Sequence, residues 1–468
     1  SAIMSQITRS SLSNGLVGYW KMDETSGTLA DASGNSNTGT WSGTGGSHYT
    51  TGKFGNGGGF NGTDDNLSIP DASSLKGMNN LSLSLWVKSN SACSSSECDL
   101  FNKENSYTIS IKNGTFQYDI RGSDYAWKNS NYSVSTGTWY LVTLTYDGTN
   151  QNFYVNGALQ STTSESGAIT SNTNTLYIGY AGGPSTYFNG TLDDFRVYNR
   201  ALSPREVRDL YAWAPGPITY FPMEEGSGTT VTDTAGGLTG TLTNGPNWVQ
   251  GKYGKAVNLD GTNDYIDVYS SGLNTALNKS EGTISLWAKA NSSSVWTDAT
   301  LRRLLTIGAD ANNRLLIAKT ATDNTLQFDY VAGGTDKAQS VVISSPTDYF
   351  MVSLVWSKSA DQMIVYYNGI KQGSTLTGLG TWTGSLASTT SVLGAASTTP
   401  TNTWSGSLDR IQIYNYARTP AQIQEDMAGG RVKQQVGYWK FDEGYGTTAQ
   451  NSGNDGAVLK GTLTSSPT

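Results

Sequence analysis

Along much of this chain the hydrophobic positions recur at every second residue. Tyr140, Val142, Leu144 and Tyr146 alternate with Leu141, Thr143 and Thr145. Asp147-Gly148 then turns into Asn152-Phe153-Tyr154-Val155, and Asn156-Gly157 turns again. A period of two is the spacing of a strand, whose side chains point alternately to its two faces. Asp-Gly and Asn-Gly are hairpin signals, because a type I′ turn needs positive φ at both central residues. The pattern returns at Met351, Ser353 and Val355 and at Ile364-Val365-Tyr366-Tyr367-Asn368-Gly369. Antiparallel meanders of this kind predict two-sheet sandwiches. One short helix closes each set. Ser203-Pro204-Arg205-Glu206 offers a capping serine, a proline in the first turn and a glutamate to complete a capping box, and Thr419-Pro420-Ala421-Gln422 repeats the device. Val207, Leu210 and Tyr211 are expected to face the sandwich.

The two sets are copies of one design. Val17-Gly18-Tyr19-Trp20-Lys21-Met22-Asp23-Glu24 answers Ile218-Thr219-Tyr220-Phe221-Pro222-Met223-Glu224-Glu225. Gly52-Lys53-Phe54-Gly55 answers Gly251-Lys252-Tyr253-Gly254, and Leu83-Ser84-Leu85-Trp86 answers Ile284-Ser285-Leu286-Trp287. Leu192-Asp193-Asp194-Phe195-Arg196-Val197-Tyr198-Asn199 answers Leu408-Asp409-Arg410-Ile411-Gln412-Ile413-Tyr414-Asn415. A third copy opens at Val436-Gly437-Tyr438-Trp439. The repeats divide the chain into an N-terminal segment 1–16, module one at 17–213, a stiff Ala-Pro-Gly-Pro linker at 214–217, module two at 218–428, a linker at 429–435 and the start of a third repeat at 436–468.

Composition narrows the function. Charged residues are 14% of the chain, and the net charge is −7. No cluster of Lys and Arg offers a phosphate-binding surface, so nucleic acid is excluded as a partner. No apolar run approaches the roughly 18–20 residues needed to span a bilayer. The one histidine, His48, reads as a solvated loop residue and leaves no basis for a multi-histidine zinc site. The two cysteines lie in Cys93-Ser94-Ser95-Ser96-Glu97-Cys98. A disulfide between them implies an oxidising compartment; the rival reading, a metal clip, lacks histidine partners. No signal peptide is visible at the start, and the chain reads as a fragment of a longer extracellular or surface protein, with signal or anchor outside it.

In the order of its motifs the chain resembles the laminin G-like, concanavalin A-like jelly rolls of bacterial surface proteins. The resemblance rests on the opening Tyr-Trp-x-x-Asp-Glu, the Phe-Asn-Gly-x-x-Asp turn, the Leu-x-Leu-Trp strand and the closing Leu-Asp-Asp-x-x-Val-Tyr-Asn-Arg-Ala-Leu-Ser. It implies an all-β fold: tandem jelly-roll β-sandwiches, each with a short C-terminal helix. It also implies a structural calcium where the opening and closing strands meet. The expected ligands are Asp23, Asp31, Asn37 and Asp193 in module one, and Glu224, Asp233 and Asp409 in module two. Oxygen ligands drawn from both chain ends would staple the first strand to the last; the plainer reading is that these residues cap turns.

A sandwich-fold glycosidase needs two facing carboxylates about 5–5.5 Å apart for retention, and no alternating run of acids appears, so no enzyme is expected. A sugar site needs aromatic platforms among polar groups. Asp124, Tyr125, Trp127, Asn129 and Tyr132 are the candidates, against the alternative that these aromatics pack beneath their loop. The expected function is therefore a non-catalytic binding or cell-adhesion array, calcium-stabilised, with a glycan or a surface protein as partner. One alternative is a structural stalk or filament whose subunits self-associate by strand donation from 436–468; the same segment also reads as an arbitrary cut or as part of an array that continues. The other is a carbohydrate-binding region attached to a glycoside hydrolase.

Overall fold

The computed structural model describes residues 12–93, 97–122, 126–183 and 186–428, together with the residue pairs 448–449 and 461–462. Residues 12–428 form two antiparallel β-sandwiches in tandem, each followed by one capped helix. In module one the first sheet places its strands in the order 158–164, 150–155, 139–146, 81–89, 189–198, 56–61 and 49–51. The second runs 128–133, 115–120, 107–112, 98–103, 176–178, 66–69 and 40–42. Module two repeats this plan with two eight-stranded sheets. Of the third repeat, Thr448–Ala449 pairs with Gly461–Thr462, and the rest lies outside the described residues.

The hairpins form for the reason their sequences give. Asn156 and Gly157 both take positive φ (51° and 77°), as do Asn368 and Gly369 (47° and 73°). Each Asn then reaches back across its hairpin: Asn156 Oδ1 accepts from Leu141 N at 2.9 Å, and Asn368 Oδ1 from Met351 N at 2.8 Å. Tyr140, Val142, Leu144 and Tyr146 all enter the core of module one. At its centre Trp20 stacks on Phe195 (5.2 Å), which stacks on Phe101 (4.7 Å). The Trp20 indole N–H donates to Asn37 O at 2.7 Å, so the ring is buried with its polar atom satisfied.

The opposite face of the first sheet is covered by the closing helix. Pro204–Ala212 carries the full capping box between Ser203 and Glu206, and Pro420–Met427 that between Thr419 and Gln422. Val207 and Leu210 are buried against Trp86, Leu141, Tyr154 and Tyr198, while Tyr211, 42% exposed, lays its ring against Trp86 at 5.7 Å. Trp86 and Trp287 are thus buried under the helices, not between the sheets.

The modules touch through aromatics. Phe54 of module one lies edge-on to Trp86 and Trp213 and to Tyr416 of module two, the last at 5.1 Å. The Tyr416 hydroxyl donates to the carbonyl of Pro215 in the linker at 2.9 Å.

Cys93 and Cys98 form the disulfide, with Cα atoms 6.0 Å apart. His48 departs from expectation. It is half-buried, stacked on Trp41 at 4.7 Å, with Nδ1 3.5 Å from Asp65 Oδ1. A flat ring beside an indole gains more by stacking than by full hydration.

Candidate functional site

The opening and closing strands of each module lie side by side. In module one Leu16 pairs with Tyr198 and Trp20 with Phe195, antiparallel. In module two Thr219 pairs with Ile413 and Phe221 with Ile411. The closing strand has two neighbours along one edge: residues 189–192 pair with 58–61, and 195–198 with the opening strand. The hand-over falls at Asp193–Asp194, where the ladder to the 81–89 strand also bulges and Asp194 takes φ 53°. The copy in module two hands over at Asp409–Arg410, with Arg410 at φ 49°.

A loop seals this rim. Asp193 Oδ2 accepts from Lys53 N at 2.7 Å and Phe54 N at 2.9 Å. The loop comes so close that a Cβ at Gly52 would sit 2.7 Å from Asp193 Oδ2 and 2.3 Å from Asn56 O, so only glycine fits. Gly251 stands in the same relation to Asp409. The other carboxylate oxygens are left over. Asp193 Oδ1 and Asp194 Oδ2 are buried without a partner, although Asp194 Oδ1 accepts from the Tyr19 hydroxyl at 2.6 Å and from Arg196 Nη2 at 3.3 Å. Burial, then the charges of Asp194 and Asp23, drive the Asp193 carboxyl far above the usual range. Asp23 lies beside this loop: a Cβ on Gly55 would come 2.5 Å from its Oδ1.

The remaining candidates hold local hydrogen bonds. Asp31 spends both oxygens on its own turn, accepting from the backbone N–H groups of Tyr19, Ser33 and Asn37 and from the Ser33 hydroxyl. Burial alone would raise its pKa; those N–H groups hold it below the ordinary value. The Asn37 amide donates to Val17 O at 3.0 Å, and its Oδ1 accepts from Ser74. Asp233 repeats the Asp31 turn through Tyr220, Ala235 and Gly236, with Oδ2 buried and unpartnered. Asp31, Asn37 and Asp233 thus close turns, and Asp193 and Asp409 mark the rim. Glu224 Oε2 accepts from Lys255 N at 3.0 Å, and its Oε1 lies 3.9 Å from Arg410 Nη2. Among the described residues no three His, Cys, Asp or Glu side chains converge as a metal cage. The unpartnered Asp193 Oδ1 and Asp194 Oδ2 are oxygen donors of the kind a hard cation takes.

The described residues of the loop expected to hold a ligand serve different ends. Tyr132 stacks over Phe116 and lies edge-on to Tyr140, packed on the core. Asn129 is exposed and its Oδ1 accepts from Asn131 N; Trp127 is half-buried. Asp124 and Tyr125 lie outside the described residues. The loop is anchored by Lys128, whose ammonium is 3.1 Å from both Asp119 Oδ1 and Glu165 Oε2. One ammonium thus bridges two carboxylates.

A better platform lies on the outer face of the second sheet, in a stretch whose glycines disguised it. Leu176 and Ile178 enter the core, so Tyr177 between them faces outward. Tyr180 stacks on Tyr187 at 4.5 Å and meets Tyr177 edge-on at 5.5 Å; all three are half-buried. Their loop runs over the strand 98–103, where Asp99 N donates to Thr186 O at 3.0 Å. Asn102 lies opposite Tyr177, and Ser110 opposite Asp99. Both Asp99 carboxylate oxygens and the Ser110 hydroxyl are buried without partners. Burial drives the Asp99 carboxyl well above the usual range.

Domain 4 of AbnA, an extracellular arabinanase from Geobacillus stearothermophilus solved with arabinotriose, is 25% identical to this chain; the likeness covers 42% of the chain and 98% of that domain, at a TM-score of 0.35. The binding domain of Paraclostridial Mosquitocidal Protein 1 is 14% identical, over 78% of this chain and 92% of that one, at 0.39. Trypanosoma rangeli sialidase is 19% identical, over 42% of this chain and 32% of that one, at 0.33. No curated protein matches the chain. No helix among the described residues is long and apolar enough to cross a membrane. The family model of the concanavalin A-like lectin/glucanases superfamily matches residues 61–208 and 260–424. Those two stretches hold most of both sandwiches, each with its closing strand, and together they exceed half of the sequence; the chain belongs to that superfamily.

Proposed function

We propose that this chain is a non-catalytic carbohydrate-binding tandem that works outside the cell, with module one taking a neutral sugar on its tyrosine-lined sheet face. The observation that carries this reading is the array of Tyr177, Tyr180 and Tyr187 over a polar strand surface. Tyrosine rings give a sugar's C–H faces an apolar platform, and Asn102 opposite Tyr177 offers a hydrogen-bonding group. The disulfide favours an oxidising compartment. Tyr187→Ala should weaken the best ligand of a glycan array at least tenfold by titration calorimetry. An unchanged affinity, or an array without a single ligand, would remove the reading. The alternative of a structural spacer draws on the aromatic seam between the modules, and it predicts that no tyrosine variant matters.

We further propose a calcium ion at the module-one rim. Two buried, partnerless carboxylate oxygens there belong to neighbouring residues, and a divalent cation would relieve both. Asp193 and Asp194 would hold it, with Asp23 at the lip. In module two Arg410 takes the place of Asp194 and brings its own positive charge to Glu224. At millimolar calcium and a dissociation constant near 10⁻⁴ M the gain is about 1–2 kcal/mol, which is roughly 3–6 °C for a module of this size. Calorimetric melts should show that rise in one transition only, and Asp193→Asn should abolish it. Two shifted transitions, or none, would contradict the assignment.

A further inference from the structure

The same bulge on the same strand carries an aspartate in one module and an arginine in the other. In module one the ladder slips between Asp99 and Phe101, and Gly179 N donates to Leu100 O. In module two it slips between Arg303 and Leu305, and Gly394 N donates to Leu304 O. Arg303 therefore stands where Asp99 stands, on the outer face of the second sheet. Beside it, on the neighbouring strand 313–319, Arg314 faces outward because Leu315 and Ile317 fill the core.

The two arginines line a cavity of about 300 Å³ with Thr306, Asp310, Thr390 and Ala396. Both are half-buried. Each Nε is buried with no partner, and among the described residues neither guanidinium forms an ion pair. Arg303 reaches only the Thr306 hydroxyl, at 3.4 Å, and Arg314 donates to the carbonyl of Ala311. The nearby acids are engaged: Asp310 accepts from Asn312 N and the Asn313 amide, and Asp329 from the Gln327 amide at 2.8 Å. Burial first, and the charge of Arg314 second, make Arg303 easier to deprotonate than a free arginine. Two half-buried like charges are costly unless an anion joins them. A guanidinium's fork of N–H donors matches the paired oxygens of a carboxylate or sulfate.

We propose that this cavity in module two binds the carboxylate or sulfate group of an acidic sugar, so that the tandem reads two different sugars with equivalent faces. The cavity is of monosaccharide size, and Thr306 and Thr390 offer hydroxyls at its wall. The sugar part of this inference rests on the carbohydrate-binding reading above; the oxyanion part rests on the arginines.

The test uses the full chain and four probes: digalacturonic acid, galactose 6-sulfate, neutral galactobiose and inorganic sulfate. At least one acidic sugar should bind tenfold or more tightly than galactobiose at this site and shift the side-chain Nε–Hε signals of Arg303 and Arg314. Preference for digalacturonic acid identifies a carboxylate, and preference for galactose 6-sulfate a sulfate. Arg303→Gln and Arg314→Gln should each weaken that binding at least tenfold with the fold intact by circular dichroism, while Tyr187→Ala leaves it within twofold. If acidic sugars bind here but the Tyr187 site proves empty, the module-one reading fails and this one stands. If only inorganic sulfate moves the arginine signals, the acidic-sugar proposal is overturned. If no probe moves them, the pocket itself is overturned.

Discussion

Arg418→Leu should destabilise module two by about 3–5 kcal/mol at pH 7.5, and adding Asp426→Leu to it should recover most of that loss. The expectation comes from comparing the two closing helices. In module one Leu202 precedes the helix and meets Leu210 on it, both buried. At the matching places module two has Arg418 and Asp426, 8% and 4% exposed. Arg418 Nε lies 3.0 Å from Asp426 Oδ2, and the guanidinium lies over the Tyr414 ring at 4.1 Å. The Tyr414 hydroxyl donates to Asp426 Oδ1 at 2.7 Å, whereas the hydroxyl of its counterpart Tyr198 is buried without a partner. Removing one charge strands the other in a place water does not reach. Removing both recreates the apolar contact that already closes module one, and such exchanges are commonly neutral or stabilising. Urea melts of the parent, Arg418→Leu and the double variant form the test. A single variant as stable as the parent would show that the pair adds nothing, and a double variant no better than the single would show that the two helices are not interchangeable.

Module two should lose stability as pH rises from 5 to 7.5, by about 2–4 kcal/mol. Burial pushes the Asp409 carboxyl up to about 7, against the opposing effects of the Tyr253 and Lys252 N–H groups and of Arg410. Burial likewise pushes Asp426 up to about 6, against Arg418, Tyr414 and Ser285. Glu224 beside the first and Glu425 beside the second add to the rise. Both carboxyls hold a proton more tightly in the folded chain than in the unfolded one. Their contribution is complete below about pH 4 and is lost as pH climbs through 6 and 7. One pKa unit is worth 1.36 kcal/mol, which sets the scale. Asp409→Asn should flatten the larger part of the slope. Denaturant melts across that range at fixed ionic strength decide the matter; stability that rises with pH, or an Asp409→Asn profile as steep as the parent's, would rule it out.

What the sequence made legible is whatever depends on neighbours along the chain. The two turns at Asn156-Gly157 and Asn368-Gly369, the capping boxes at Ser203 and Thr419, and the alternation from Tyr140 to Tyr146 are local physics, and the structure keeps them. The repeat itself aligned the opening and closing strands, and the rim residue Asp193 with them. What depends on the folded surface was hidden. Tyr177, Tyr180 and Tyr187 are separated by glycines and show no period, so only the loop's return over strand 98–103 brings them together. Tyr132 looked like an exposed aromatic because its neighbours are polar, but it lies on an edge strand and packs on Phe116. Asp31 and Asp233 carry the right chemistry for a cation and also accept their own turns' N–H groups, with Asp233 Oδ2 left unpartnered. Arg303 and Arg314 belong to adjacent strands, a pairing that no spacing in the sequence announces.

The antiparallel pairing of the opening and closing strands decides how each sandwich answers a pull. The chain enters at Leu16 and leaves just beyond its partner Tyr198, so the two points of load sit at the same end of one ladder. Tension therefore acts across the hydrogen bonds and opens them singly, like a zipper, instead of shearing the whole row at once. Once the closing helix has lifted away, parting should travel from Leu16 toward Trp20 and meet its first firm stop at Asp193–Asp194, where a bound cation would clamp the loop. The second sheet, with its proposed sugar face, lies beyond that stop, which would let a module pay out length as a compliant tether while keeping its grip.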